Sequence, residues 1–516
     1  MPRRLHGLLG FALLIAFGGG AAAQQTSEPK PAPVPDPPGG QTPRQIPDPP
    51  GGQTPAVAPK TVSTPVPPPV ALPTAPAAAD IVSRPLSAEE AVRIALRKQP
   101  NVEVARAGIA AAQGRTEQAR AALLPSLGVS GGYNNVTVLS GASSSTSTTN
   151  STGGNTGGTT GGASTATSGN SGSGGSSGST GFTAQAVVRQ LLFDFNHTRE
   201  LVRQSQALSR AAKDNLTRVQ SDLVSQVKQA YYQVVQSDRL AAVNEDNLQN
   251  RRSQRDLARA RLNSGLGLPS DVATAETAYS EAVLNLTVAQ NTAAITRVNL
   301  AALMGVDART PLATVEGGEP AVPSDDVDAL VAQALKQRPE MLQAQSTVDA
   351  NRHAVSAAKT TNAPAVSGAV GFASRGREFP PRDDGLTIGA TVTFTPFDGG
   401  LTQGRVKEAR ANLDSAGAQL QGTRLTVTSD VAQSWLNMRT AEQRVATAAI
   451  EVANATEGVR IATGRYSSGL GLFQDILTTQ SLLLTARTNL VNAQAQVDTS
   501  RAALRRAIGA PPPVVR

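Results

Sequence analysis

The chain has 516 residues, of which 39% are hydrophobic but only 3% aromatic, with a single Trp, and it carries a net charge of +8. It contains no cysteine, which excludes disulfide frameworks, thiolate metal sites and a lipid anchor on an N-terminal Cys. Its basic residues are scattered singly among Asp and Glu, without the patch that marks a nucleic-acid-binding protein, so no nucleic-acid partner is expected.

Arg3 and Arg4 precede the apolar run LLGFALLIAF, which is followed by GGGAAA and a polar QQTSEPK. This order of charge, short apolar core and small-residue exit predicts a signal peptide over 1–23, cleaved after Ala23. The run is about half of the ~20 apolar residues that span a bilayer, which argues against a transmembrane anchor. Residues 24–84 are rich in Pro and contain PDPPGGQTP twice, at Pro35 and at Pro47. Such a composition predicts an extended, solvated tether.

Beyond the tether the chain is written twice. ALRKQP at Ala95 matches ALKQRP at Ala334, and at the same shift Pro125 meets Pro364, Gly132 meets Gly371 and Tyr133 meets Phe372. Further on the shift shortens: Phe193-Asp194 meets Phe397-Asp398, Tyr231 meets Trp435, Gly265 meets Gly469, and Gly305 meets Gly509. The change falls in a Gly/Ser/Thr-rich tract, about 135–181, that reads as a loop insertion in the first copy. The organisation predicted is a first repeat over 85–310, a linker over 311–325, a second repeat over 326–510 and a tail over 511–516.

Each copy reads helix, strand, loop, strand, long helix, tight turn, helix. The first helix opens on a capping box, Ser87 with Glu90 three residues on, and is expected to run to Leu124 before Pro125. Strands are expected around 127–133, 184–193, 366–372 and 387–395. The last of these, TIGATVTFT, alternates apolar Ile388, Ala390, Val392 and Phe394 with small or polar partners, as a barrel strand between lipid and water does. A soluble sandwich would use the same alternation. Two isolated hairpins in an otherwise helical chain offer no second sheet, however, which favours a barrel.

The long helix of copy one is expected from near Arg199 to Asn263, with a seam at Leu216, Val219, Leu223, Val227, Ala230 and Val234. Its ~65 residues make a rod of about 100 Å, and the return helix from Pro269 to Met304 one of ~55 Å. Between them lies SGLGLPSD, and copy two repeats it as SGLGLFQD. Gly265 and Gly469 suit tight reversals, and Pro269 suits the first position of a helix. Leu266, Leu268, Leu470 and Leu472 at an exposed tip invite a partner. Four strands cannot close a barrel, and open edges cannot face lipid, so several chains must pool their strands if these enter a membrane.

The twofold repeat, the LLFDF and FTPFDGG junctions and the RYSSGLGLFQDIL bend together resemble the TolC family of outer-membrane efflux factors over about 85–510. The resemblance implies a mainly α fold with a membrane β-barrel. A homotrimer would share a 12-stranded β-barrel in outer-membrane lipid above a long coiled-coil α-helical barrel in the periplasm. It implies an export duct whose tip docks a periplasmic adaptor (membrane fusion protein) of an inner-membrane transporter, with no enzyme activity, cofactor or metal. The docking tips would be Gly265, Leu266, Gly267, Leu268 and Ser270 with Gly469, Leu470, Gly471 and Leu472. The periplasmic gate would be Tyr466, reaching across to Asp271, with Asp475 as a pore-lining acid. Gly471 and Thr478 stand where the best-known member has an arginine and a second acid. Asp271 and Asp475 equally fit charge matching at a helix N-terminus. The alternative is a periplasmic coiled-coil scaffold or adaptor that forms no channel.

Overall fold

A computed structural model describes residues 85–135, 180–321 and 326–510. The expected signal peptide, tether, most of the inserted loop and the tail lie outside the described residues. The elements in order are α1 (Ala88–Lys98), α2 (Pro100–Ala121), β1 (Ser126–Asn135), β2 (Thr180–Phe193), α3 (His197–Asn263), α4 (Pro269–Leu303), α5 (Val327–Gln337), α6 (Pro339–Thr360), β3 (Ala365–Gly376), β4 (Asp383–Thr393), α7 (Leu401–Ser467) and α8 (Phe473–Ala507).

The two copies share one plan, with one correction to the expected helices. The first helix does not run from Ser87 to the turn before Pro125; it breaks at Gln99, whose backbone is extended, and α2 starts with Pro100 at its first position. Proline lacks the N–H that would continue the helix and disfavours helical backbone in the residue before it. Copy two breaks identically at Arg338 before Pro339. The Ser87–Glu90 capping box forms as expected. Both long helices start under an aspartate, with Asp194 accepting from the Thr198 N–H at 2.7 Å and Asp398 from the Thr402 N–H at 2.7 Å.

α3 and α7 have 67 residues each, about 100 Å of helix. α2 and α4 both pack on α3, while α6 and α8 each lie against both α3 and α7. Two apolar cores form where the short helices meet the long ones. One gathers Val92, Leu96, Val227, Tyr231, Leu300 and Met304; the other gathers Leu330, Met341, Val427, Val431, Met438 and Leu504. The linker between the copies is strapped onto the first. Leu86 donates to Ala313 and accepts from Val315, and the Tyr231 hydroxyl lies between the carbonyls of Val315 (2.6 Å) and Leu86 (2.9 Å). Further along the strap, the buried Glu319 carboxylate holds Lys228 at 2.6 Å and the Tyr232 hydroxyl at 2.7 Å.

The strands form one antiparallel sheet in the order β1-β2-β3-β4. Its register collects apolar side chains into cross-strand rows, Leu127–Val188–Val370–Ile388 and Val129–Ala186–Phe372–Leu386. These rows are solvent-exposed in the single chain, Ile388 at 74% and Val129 at 76%. The opposite face is small or polar, with rows such as Gly128–Val187–Gly371–Thr387 and Ser130–Gln185–Ala373–Gly385. Tyr133, Phe182 and Phe379 cluster at the loop end of the sheet, and Phe193 and Phe195 at the helical end. An apolar band between aromatic ends is the pattern of a barrel wall in lipid. β1 and β4 are both edges, and no helix among the described residues is long and apolar enough to cross a membrane.

Candidate functional site

The end of the molecule away from the sheet is built from the two bends. α3 ends in a Schellman motif, in which the Gly265 N–H donates to Leu262 (3.0 Å) and the Leu266 N–H to Arg261 (2.9 Å). α7 ends the same way, with Gly469 donating to Tyr466 (3.1 Å) and Leu470 to Arg465 (2.9 Å). The closing residue must be left-handed, and Gly265 and Gly469 have φ of 75° and 77°. The second glycine of each bend answers a different need. A Cβ on Gly267 would come within 2.8 Å of the Leu262 nitrogen, and one on Gly471 within 3.0 Å of the Arg465 Cβ. Both glycines of each repeated bend are therefore set by geometry, whereas the leucines between them are not.

With the glycines turning the chain, the leucines point out. Leu266 and Leu470 are each 81% exposed, Leu472 70% and Leu268 62%. Ser270 is exposed beside them. The two bends stand together over a small apolar cluster of Ala258, Ala275, Ala462, Tyr466, Phe473, Ile476 and Leu477. Four exposed leucines thus crown one end of the helices as a two-lobed apolar surface.

The residues expected to form the gate are arranged differently from the resemblance. Tyr466 is buried, its ring 5.5 Å from that of Phe473. Asp271 sits at the third position of α4 and no hydrogen bond joins it to Tyr466 among the described residues. Asp475, at the third position of α8, accepts from the Leu472 N–H at 3.3 Å. It therefore serves as a helix cap, where a carboxylate also suits the positive end of the helix. The partner of Tyr466 is Arg261, a residue that sequence reasoning passed over. Its guanidinium lies 4.1 Å from the centre of the Tyr466 ring and donates to the Ser467 carbonyl at 3.0 Å. A stacked cation of this kind contributes about 0.5–2 kcal/mol. The available signal was the repeated arginine four residues before each first glycine, Arg261 and Arg465.

Above the tip, α3, α7 and α8 enclose a groove of about 420 Å³ lined by Gln229, Gln233, Gln236, Asn437, Asn492 and Gln496. It is neutral and rich in amides. Among the described residues no group of three or more metal-ligating side chains is assembled.

The family model for outer membrane efflux proteins matches residues 91–306 and 330–510, one segment for each copy. The chain belongs to the outer membrane efflux protein family. Members of this family are outer-membrane export channels and not enzymes. The outer membrane efflux protein BepC of Brucella suis is 27% identical to it over 328 residues, covering 62% of this chain and 71% of BepC. The outer membrane protein TolC of Escherichia coli is 23% identical over 329 residues, covering 60% of this chain and 66% of TolC. In three dimensions it is similar to the outer membrane protein VceC of Vibrio cholerae, with a TM-score of 0.68 at 21% identity. That likeness covers 82% of this chain and 96% of VceC. At that identity VceC shows the fold, and the efflux family fold accounts for the paired long helices and the open sheet alike.

Proposed function

We propose that three copies of this efflux-family chain pool their sheets into one 12-stranded barrel in the outer membrane and that their helices continue it as a periplasmic tunnel. The signal peptide delivers the chain across the inner membrane. Substrates leave the periplasm through the duct. The observation that carries this reading is the four-stranded sheet, with one exposed apolar face and both edge strands unpaired among the described residues. Lipid does not tolerate open edges, because each unsatisfied backbone group there costs several kcal/mol. The neutral amide groove at mid-height supports a wall that wets a passing solute without holding it by charge.

The crown of Leu266, Leu268, Leu470 and Leu472 is the surface offered to a periplasmic adaptor, which couples the duct to an inner-membrane transporter. Membrane fractionation of cells producing the full chain tests the reading. The protein should fractionate with outer membranes and migrate on gels as a heat-modifiable trimer. A monomeric, detergent-independent periplasmic pool would return it to the class of soluble scaffolds.

A further inference from the structure

The two helical hairpins, α3–α4 and α7–α8, must part at the tip for a duct to open there, so whatever joins them side to side sets the gate. Between Gln236 and the bends this seam is polar. Gln236 donates to Asn492 (2.8 Å), Arg239 to Gln494 (3.2 Å) and Arg251 to Ser481 (3.0 Å), and Arg487 faces Asp246 at 3.5 Å. At the tip itself the first hairpin brings mainly alanines to the shared cluster, whereas the second brings Tyr466, Phe473, Ile476 and Leu477. Arg261 is the large side chain that the first hairpin sends onto the second there, among the described residues.

From this geometry we infer that Arg261 is the latch of the periplasmic end, holding the second hairpin closed by stacking on Tyr466 and bonding to Ser467. The inference rests on the reading of the tip as the gated end of a duct. A guanidinium suits both parts of the task, since its flat face covers a ring while its edge still donates. The Ser467 carbonyl is the last residue of α7, where the negative end of the helix favours a cation. The contact runs one way only. Arg465, the counterpart in copy two, is exposed, and Leu262 stands where a second tyrosine would be. One latch per chain follows, with hairpin one giving the cation and hairpin two the ring.

This differs from a Tyr466–Asp271 hydrogen bond in a way substitution can separate. Because the chain lacks cysteine, spin labels on Asn263→Cys and Ser468→Cys of the full-length protein report the spacing of the hairpins without reference to transport. Arg261→Ala and Tyr466→Leu should move the distance distribution to longer values and raise single-channel conductance in planar bilayers. Tyr466→Phe, which keeps the ring and removes the hydroxyl, should match wild type, as should Asp271→Asn. Arg261→Lys, with charge but no planar fork, should fall between wild type and Arg261→Ala. The latch is overturned by wild-type spacing in Arg261→Ala, or by Tyr466→Phe opening as far as Tyr466→Leu. If the distances respond as expected while no variant conducts, the link between the hairpins through Arg261 stands, but the duct reading, and with it the gate, is overturned.

Discussion

Tyr231 and Trp435 occupy the same position in the two copies and meet opposite polar fates. The Tyr231 hydroxyl is buried between two strap carbonyls, those of Leu86 and Val315. The Trp435 indole N–H is buried with no partner among the described residues. An aromatic spacer serves both cores, but among the described residues only the first has a strap beneath it to satisfy. Tyr231→Phe should therefore lower stability by about 1–3 kcal/mol, the usual cost of leaving buried groups unpaired. Trp435→Phe should cost clearly less, because its lost volume is offset by removal of an orphaned donor. Thermal unfolding of the two variants in detergent compares them, and equal losses would mean the strap contributes nothing through Tyr231.

The tip leucines carry no packing of their own, so they can be changed without touching assembly. Leu470→Arg should abolish export in cells while leaving the heat-modifiable oligomer at wild-type abundance. Leu472→Arg should do the same more weakly, since it is the less exposed of the two. Growth on an exported toxic compound, beside a gel of the oligomer, reads both effects. Normal export by Leu470→Arg would remove the docking role of the bends.

The two faces of β4 make opposite predictions for adjacent residues. Ile388 lies on the apolar face and Thr387 on the small, polar one. In a lipid-embedded wall Ile388→Lys should destabilise by about 2–4 kcal/mol. Thr387→Lys should be tolerated and should instead shift ion selectivity toward anions. Unfolding in liposomes and reversal potentials in bilayers measure the two outcomes.

Acid should loosen the second copy through Glu340. Burial is the largest influence and works to raise this carboxyl, but the hydrogen bonds from Arg338, a backbone N–H and the charges of Arg338 and Arg506 together leave it below its ordinary value. A depressed carboxyl adds stability that is complete above the ordinary glutamate pKa of about 4.3 and is lost as pH falls through the lower folded value. Arg338 is itself buried and is also held by Asp430 at 3.0 Å. Glu340→Gln should cost about 1–3 kcal/mol at neutral pH. It should also lose less than wild type as the pH falls below the ordinary glutamate value of about 4.3, which melting curves across that range record.

Much of this architecture is written in the order of residues. The repeat between Ala95 and Ala334 and the repeat between Gly265 and Gly469 fixed the duplicated plan, because both mark places where the backbone has few options. Alternation at Ile388, Ala390 and Val392 identified the apolar face for the same reason. The break at Gln99 was also legible, since ALRKQP and ALKQRP share their proline, yet capping and a helical pattern on either side masked it. What could not be read was which side chain meets which across hairpins. Arg261 and Tyr466 lie 205 residues apart, and only the packing of α3 along α8, the hairpin partner of α7, brings them together at the tip. The acids at Asp271 and Asp475 illustrate the converse. Their spacing after the glycines is set by the third position of a helix, a local demand that sequence alone cannot separate from a role in the pore.

The unpaired outer strands of the sheet have a bearing on biogenesis. Under the proposed pooling of three sheets, a newly exported molecule presents hydrogen-bonding hems that sister copies satisfy, so entering the bilayer and finding those copies become a single event. Insertion should therefore rise more steeply than linearly with the amount of precursor in the periplasm. At low expression, the cell would hold the polypeptide as an unassembled intermediate exposed to proteases instead of as a thin population of working pores.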